Sequence, residues 1–389
     1  MPAAAVTDDA GDQLVGLLSD LVAFPTESRT PNLELIRWVA DHVESNGGRA
    51  TVLEAGEGRA NLLASFGPRQ RGGLMLSGHS DVVPAGTGWA TDPYSLTRIE
   101  DSLHGRGTAD MKGFIAAVIR TMQRIAQVEL TRPLHLALSF DEEVGCIGVR
   151  HALEFVSGQD DVRPDLVLIG EPTMMRPCHS HMGKLAYEVV CRTASAHSSL
   201  SHSKPSAIAV AVRLLGVLDE LQQRHRPIGE PEVTFNCGTI TGGTGVNVIA
   251  ERCAFAFEMR FTVDHDPDDV VRPFMQAVER ERSGIAEQQG TVDLSEIIRY
   301  PALRTSSADP WLHLVERIAD VGPAGVIGYG TEGGLFAEAM HVPVVICGPG
   351  DIAVAHRPDE YGTVDQLLRC ERLLNSLVQQ ICVDPRAES

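Results

Sequence analysis

The chain has 389 residues, 43% of them hydrophobic and with no low-complexity tract, which is too long for one typical core and points to a chain folded throughout, in two domains. Its formal net charge of −19 excludes nucleic acid and anionic membrane surfaces as natural partners, because both would repel it. No apolar run approaches the roughly 18 to 20 residues of a membrane helix.

Met1 to Asp12 show no basic region followed by an apolar core, so no signal peptide is expected. The cysteines Cys146, Cys178, Cys191, Cys237, Cys253, Cys347, Cys370 and Cys382 form no close pair, and several lie in apolar runs. They read as reduced core residues of a cytoplasmic chain.

The first informative segment is the apolar run Gly73 to Gly78, which delivers His79-Ser80-Asp81 at its end. On extended backbone residues i and i+2 point the same way, so Asp81 can reach the ring nitrogen of His79 that faces away from a metal and fix its tautomer. Taken singly, His-x-Asp also fits a surface turn with a solvated carboxylate. Next, Gly105 to Gly113 leads into a predicted helix with Phe114, Val118, Met122 and Ile125 on one face, which puts Asp110 near a helix start as either an N-cap or a ligand. Leu134 to Phe140 is a strand ending in Asp141-Glu142-Glu143. Adjacent carboxylates at the end of a buried strand repel unless a cation takes one of them, although an isolated acidic triplet also fits a solvated loop. Asp165 to Gly170 repeats the pattern and ends in Glu171-Pro172-Thr173.

Up to Thr173 strands alternate with helices, the arrangement of a parallel sheet covered on both faces. From about Lys184 the pattern changes. Leu185, Tyr187, Val189 and Cys191 alternate with Glu188 and Arg192, and Cys253, Phe255, Phe257, Met259 and Phe261 alternate with Glu258 and Arg260. These predict antiparallel strands with one wet face, joined by a helix that Ser206 can cap, with Leu215 and Leu218 on its apolar side, and followed by a helix begun by Asp266-Pro267. The α/β pattern resumes with a helix around Trp311 to Ile318. The run Val342 to Cys347 then leads through Gly348-Pro349-Gly350 to His356, and a last core helix carries Val364, Leu367, Leu368, Leu374, Leu377, Val378 and Ile381.

The expected fold is therefore α/β, a mostly parallel sheet with helices on both faces, discontinuous in sequence: 1–180 and 301–389 form the catalytic domain, and 181–300 an inserted α+β lid. His79, Asp110, Glu143, Glu171 and His356 each follow an apolar stretch and together form a ligand set for two divalent metals. Carboxylate and imidazole suit Zn2+, with Co2+ or Mn2+ also possible.

These motifs, with Ala196-His197-Ser198-Ser199 and Gly330-Thr331-Glu332-Gly333-Gly334-Leu335-Phe336, resemble the zinc-dependent aminoacylase and carboxypeptidase superfamily over nearly the whole chain, closest to its acetylornithine deacetylase and succinyl-diaminopimelate desuccinylase branch. The resemblance implies a zinc-aminopeptidase-like catalytic domain in which Asp110 bridges two metals, His79 and Glu171 complete one site, and Glu143 and His356 the other. It makes Asp81 a support for His79, Glu142 the general acid and base, and His197 a lid residue that holds the oxyanion and crosses between subunits in dimeric relatives. It also implies a homodimer formed through the lid and a non-proline cis peptide after Asp110.

Substrate recognition is less sharply marked. Arg260 reads either as a clamp for a substrate carboxylate or as a solvated strand charge, and Asn247 as a substrate or a turn residue. Glu332 opens a predicted helix and is a candidate partner for an ornithine ammonium. Where relatives carry a glycine and an asparagine before Ala-Ile, this chain has Ser203-Lys204-Pro205-Ser206, which leaves the acyl-amino acid open. The activity the resemblance implies is hydrolysis of N2-acetyl-L-ornithine to ornithine and acetate in arginine synthesis. The alternatives are another N-acyl amino acid or N-succinyl-diaminopimelate as substrate, or a metal-binding protein without turnover, against which Glu142 speaks.

Overall fold

The computed structural model describes residues 9–225 and 232–384, so residues 1–8 of the amino-terminal segment, read above as carrying no leader, lie outside the described residues. The chain divides into two compact units: Met1–Ser180 with Arg304–Ile327 and Thr331–Ser389, and His181–Leu303 with Gly328–Gly330.

The first unit is built on a nine-stranded sheet whose centre runs Leu134–Ser139, Leu74–His79, Leu166–Pro172, Val344–Gly348, with each neighbouring pair parallel. The hairpin Arg49–Gly56 and Arg59–Phe66 joins antiparallel on the Leu134–Ser139 side, and three shorter strands continue the sheet beyond Val344–Gly348. The central strands are buried throughout, which is why they read as continuous apolar runs and not as alternations.

Both faces of this sheet are covered. Leu134, Leu136, Leu138, Leu74, Leu76, Leu166 and Leu168 share one core with helices Asp9–Val22, Leu33–Ser45, Lys112–Ile125 and Val364–Val378. The alternate residues Met75, Ala137, Val167 and Ile169 are buried outside that cluster, as are Val149, Ala152 and Leu153 of helix Ile147–Val156, which packs on helix Gly333–Met340. The fold is thus α/β with a mostly parallel central sheet.

Glycine matters at one crossing. A Cβ on Gly348 would meet the backbone of Gly170 on the adjacent strand, and one on Gly170 would enter the Phe114 ring. Only glycine lets these strands end side by side under the Lys112–Ile125 helix.

The second unit is a four-stranded antiparallel sheet ordered Val233–Gly242, Arg252–Phe261, Gly183–Arg192, Thr291–Tyr300. Leu185, Val189, Phe255, Phe257 and Met259 turn to the helices Ala207–Arg224 and Pro267–Ala286, while Glu188 stays exposed. Asp266 caps the second helix by accepting from the Asp268 N–H, with Pro267 in its first turn. Ser206 occupies the N-cap of the first helix but makes no capping bond, and the buried stripe of that helix is Val210, Leu214, Leu218 and Leu221, with Leu215 only partly covered. No helix among the described residues is long and apolar enough to cross a membrane.

Candidate metal centre

Three parallel strands and two loops bring the centre together. His79 ends strand Leu74–His79, Glu171 lies at the end of Leu166–Pro172, and Glu142 and Glu143 follow Leu134–Ser139 by three and four positions. Carboxyl ends of parallel strands converge on one edge of the sheet, so side chains distant in sequence meet there. Asp110 arrives on the loop before helix Lys112–Ile125. That helix is preceded by Met111 without a side-chain cap, so Asp110 does not serve as its N-cap. The Asp110–Met111 peptide is cis, as the resemblance implied. His356 comes from the loop after Val344–Gly348 with a left-handed backbone, φ 62°.

Asp110 lies at the middle of the cluster. Its Oδ1 is 3.0 Å from His79 Nε2 and its Oδ2 is 3.1 Å from His356 Nε2. His356 Nε2 is also 3.0 Å from Glu143 Oε1, and His79 Nε2 is 3.9 Å from Glu171 Oε1. Two overlapping sets, His79-Asp110-Glu143 and His79-Glu142-Glu171, each have donor atoms within 4.8 Å of one another. Two donors on one tetrahedral zinc stand about 3.3 Å apart, given metal–ligand distances of about 2.0–2.2 Å, so the spacing fits ligation. Asp110 thus presents its two oxygens to two different histidines, a placement from which it could be shared by two ions.

The electrostatics point the same way. Burial raises the pKa of Glu171 and Glu143, and the Asp110 charge adds to it; in Glu171 the Glu142 charge contributes as well. Burial also lifts Glu142 well above its usual value, aided by the charges of Glu143, Glu332 and Asp81. Against burial, which works to raise it, hydrogen bonds from His356 and His79 hold Asp110 well below the carboxylate range. Burial favours a neutral His79, yet the hydrogen bond and charge of Asp110 push it well up. Hydrogen bonds to Asp110 and Glu143 bring His356 to about 10. Carboxylates this crowded and dry repel one another, and divalent cations are the chemistry that relieves the repulsion. The oxygen and imidazole donors fit zinc, cobalt or manganese.

Around this ring the supporting bonds differ in detail from the sequence reading. His79 Nδ1 bonds at 2.8 Å to the backbone carbonyl of Asp81 and stands 3.7 Å from its carboxylate. That carboxylate instead accepts from Ser28 Oγ at 2.8 Å and from the N–H groups of Glu142 at 3.0 Å and Glu143 at 3.4 Å. Asp81 therefore orients the ring through its backbone and the paired glutamates through its side chain. Asp141 anchors the same turn, accepting from Arg29 N–H and pairing with Arg59 at 2.8 Å. Cys146 Sγ donates to Glu142 Oε1 at 3.3 Å.

Glu332 is buried at the start of helix Gly333–Met340. Burial pushes its pKa up to about 7 against the opposing pull of the Ser139 hydroxyl and the His79 charge, and its Oε1 alone has no hydrogen-bond partner. Glu360 and Arg106, to which the sequence reading gave no role, lie buried behind Asp110. Arg106 falls within the segment Gly105 to Gly113, four residues before Asp110, whereas Glu360 belongs to no motif and is marked only as a carboxylate four residues past His356.

In the second unit His197 is exposed and pairs in a short ladder with Val248, while Ser198 N–H donates to the Asn247 carbonyl at 3.0 Å, so His197 and Asn247 are neighbours. His197 Nδ1 accepts from the Ser199 N–H at 3.2 Å. Arg260 is half-buried on strand Arg252–Phe261, donating to Glu258 at 3.0 Å and to the Gly328 carbonyl at 3.2 Å.

The fold and the ligand cluster define a metal-dependent hydrolase. A sequence profile of peptidase family M20/M25/M40 matches residues 75–380, and the chain belongs to that family, whose metallohydrolases bind divalent metals. It is 31% identical over 384 residues to an acetylornithine deacetylase of Pasteurella multocida, covering 94% of this chain and 97% of that one. It is 33% identical over 331 residues to an acetylornithine deacetylase of Edwardsiella ictaluri, covering 83% of each. In fold it is similar to an M20 family metallo-carboxypeptidase of Sulfolobus solfataricus, with a TM-score of 0.77 at 16% identity over 95% of this chain and 99% of that one. It is similar in the same way to the Bacillus subtilis YXEP protein, described as a dinuclear metal-binding peptidase, with a TM-score of 0.66 at 14% identity over 94% and 97%.

Proposed function

We propose that the protein is a dinuclear deacetylase that hydrolyses N2-acetyl-L-ornithine to L-ornithine and acetate, serving arginine synthesis in the cytoplasm. The observation that carries the hydrolytic reading is Asp110, with one oxygen toward His79 and the other toward His356 and with Glu142 buried beside them. The amino acid rests on the names of the relatives, at 30–33% identity along most of the chain. Eight unpaired cysteines support a reducing compartment.

His79 and Glu171 would hold one ion, His356 and Glu143 the other, with Asp110 shared; zinc is the first choice and cobalt or manganese the alternatives. The bound ions would supply Lewis acidity toward the amide carbonyl and lower the pKa of water to near neutrality. Glu142 takes the proton from the attacking water and delivers it to the departing amine nitrogen. Because His197 Nδ1 accepts from the Ser199 N–H, the neutral ring carries its proton on Nε2, the form that can donate to a developing oxyanion. Arg260 is assigned to the substrate α-carboxylate and Asn247 to the loop beside it. Glu332, whose Oε1 lacks a donor, is assigned to the substrate ammonium. A homodimer through the second unit completes the proposal.

A release assay across acetylated, succinylated and formylated amino acids, with Zn2+ or Co2+ added, tests it. Acetylornithine should be turned over fastest, and Glu332→Lys should depress cationic substrates more than neutral ones. Faster turnover of N-succinyl-diaminopimelate or of a neutral acyl-amino acid would move the assignment to that substrate, and equal loss on cationic and neutral substrates would remove Glu332 from recognition.

A further inference from the structure

Behind the metal ligands lies a second ion pair that no catalytic step uses. Glu360 and Arg106 are each 1% exposed, and Arg106 Nη1 donates to Glu360 Oε2 at 2.5 Å. The other oxygen, Oε1, accepts three backbone N–H groups: Gly107 at 3.1 Å, Ala109 at 3.0 Å and Asp110 at 3.1 Å. Three amides converge on one oxygen because Gly107 turns the backbone through the left-handed region, φ 86°, where a side chain would strike Val82 and Lys112. Arg106 reaches the opposite way, its Nη2 donating to the carbonyls of Pro84 and Ala85, both at 3.4 Å, while its guanidinium lies 5.1 Å from the centre of the Trp89 ring. The carbonyl of Glu360 also accepts from Gly105 N–H at 3.0 Å.

Each loop tied here carries a metal-ligand candidate. Residues 105–110 end in Asp110, residues 82–85 follow His79 and Asp81, and Glu360 stands four residues after His356. We infer that the Glu360–Arg106 pair is a positioning clamp that locks the loops of His79, Asp110 and His356 in register and so sets the affinity of the site for both ions. The inference rests on the dinuclear reading above. A buried charge pair does not by itself add stability, since desolvation offsets its attraction, so its worth lies in the geometry it imposes. Groups that hold ligands in place typically contribute ten- to hundredfold to metal affinity.

The test is titration of the metal-free full chain with Zn2+ against a competing chelator, and with Co2+ followed by its visible absorption, for the parent, Glu360→Gln, Arg106→Lys and Asp110→Asn. Glu360→Gln should weaken both binding steps by about ten- to hundredfold, because Asp110 is shared between them, and change the Co2+ band shape at saturation. Arg106→Lys keeps a cation against the carboxylate but loses the fork to Pro84 and Ala85, and should weaken binding less. Circular dichroism and the melting temperature of each metal-free variant report the fold. Zn2+ affinity within twofold of the parent in a folded Glu360→Gln chain, whatever its melting temperature, overturns the clamp, and so does weakening of one binding step only. If Glu360→Gln does not fold, Arg106→Lys decides by the same limits. A parent that binds no Zn2+, or an Asp110→Asn chain that binds it like the parent, overturns the metal reading itself. Parent-like binding by Glu360→Gln alongside a weakened Asp110→Asn sinks only the clamp.

Discussion

Glu142 is pulled in two directions. Burial and the charges of Glu143, Glu332 and Asp81 keep a proton on it, whereas a base must start without one. Cations in the ring resolve the conflict, since each would draw the carboxylate back toward its ionised form. Glu142→Gln keeps the shape and the Cys146 contact but cannot accept the proton. Its kcat is expected to fall by 10²- to 10⁴-fold with two metals still bound, measured by turnover together with metal analysis. Unchanged turnover would remove Glu142 as the base. Much of this residue-level pattern was legible: His79, Asp110, Glu143, Glu171 and His356 each follow an apolar stretch, and the structure brings them together. What stayed hidden was the wiring. Nothing in Arg357-Pro358-Asp359-Glu360 reveals that the last side chain folds back under Asp110, because that contact spans about 250 residues and has no period. The Asp81 carboxylate was equally opaque, since two of its partners are backbone amides, which every sequence offers alike, and the third is a serine hydroxyl, Ser28, far away along the chain.

At the level of the element, strand Leu134–Ser139 carries an unusual resident. His135 is 2% exposed, held by Ser65 Oγ at 2.8 Å, and burial brings its pKa down to about 4. It is neutral in the folded chain and takes up a proton near pH 6.5 when unfolded, so unfolding binds protons and stability falls as pH drops from about 6.5 toward 4. Between pH 7 and pH 5 this one group should remove roughly 2 kcal/mol. His135→Gln, which can still bond Ser65, should lose less stability than the parent over that interval in urea melts; an equal loss would mean the ring is not the cause. Elements whose burial matches their period were readable from sequence, such as the alternating strand Arg252–Phe261 and the Asp266-Pro267 helix start. Ser206 was misleading, because N-cap position and N-cap hydrogen bond are separate facts.

Over the whole molecule, a site this rich in carboxylates should depend on its ions for stability as well as chemistry. A ligand that binds only the folded state adds RT ln(1 + [L]/Kd), about 4 kcal/mol at a thousandfold excess over Kd. Dialysis against a chelator is therefore expected to lower the melting temperature, and Zn2+ to restore it in the parent but not in Asp110→Asn. Identical melting with and without metal would count against tight dinuclear binding. The change near Lys184 from buried runs to alternation was plain in the sequence, but the return of Gly328–Gly330 to the second unit left no mark, because three small or aromatic residues carry no pattern.

The order of these segments along the chain has a consequence for biosynthesis. His79, Asp110, Glu143 and Glu171 leave the ribosome first; then come the residues of the second unit, and only afterwards strand Val344–Gly348, which inserts beside Leu166–Pro172, and His356 behind it. A nascent polypeptide thus carries four of the five candidate ligands through nearly half of its translation without the last one. Occupation of a centre built from all five residues would consequently be a closing event of maturation, and chains stalled before residue 356 would emerge without the histidine that completes it.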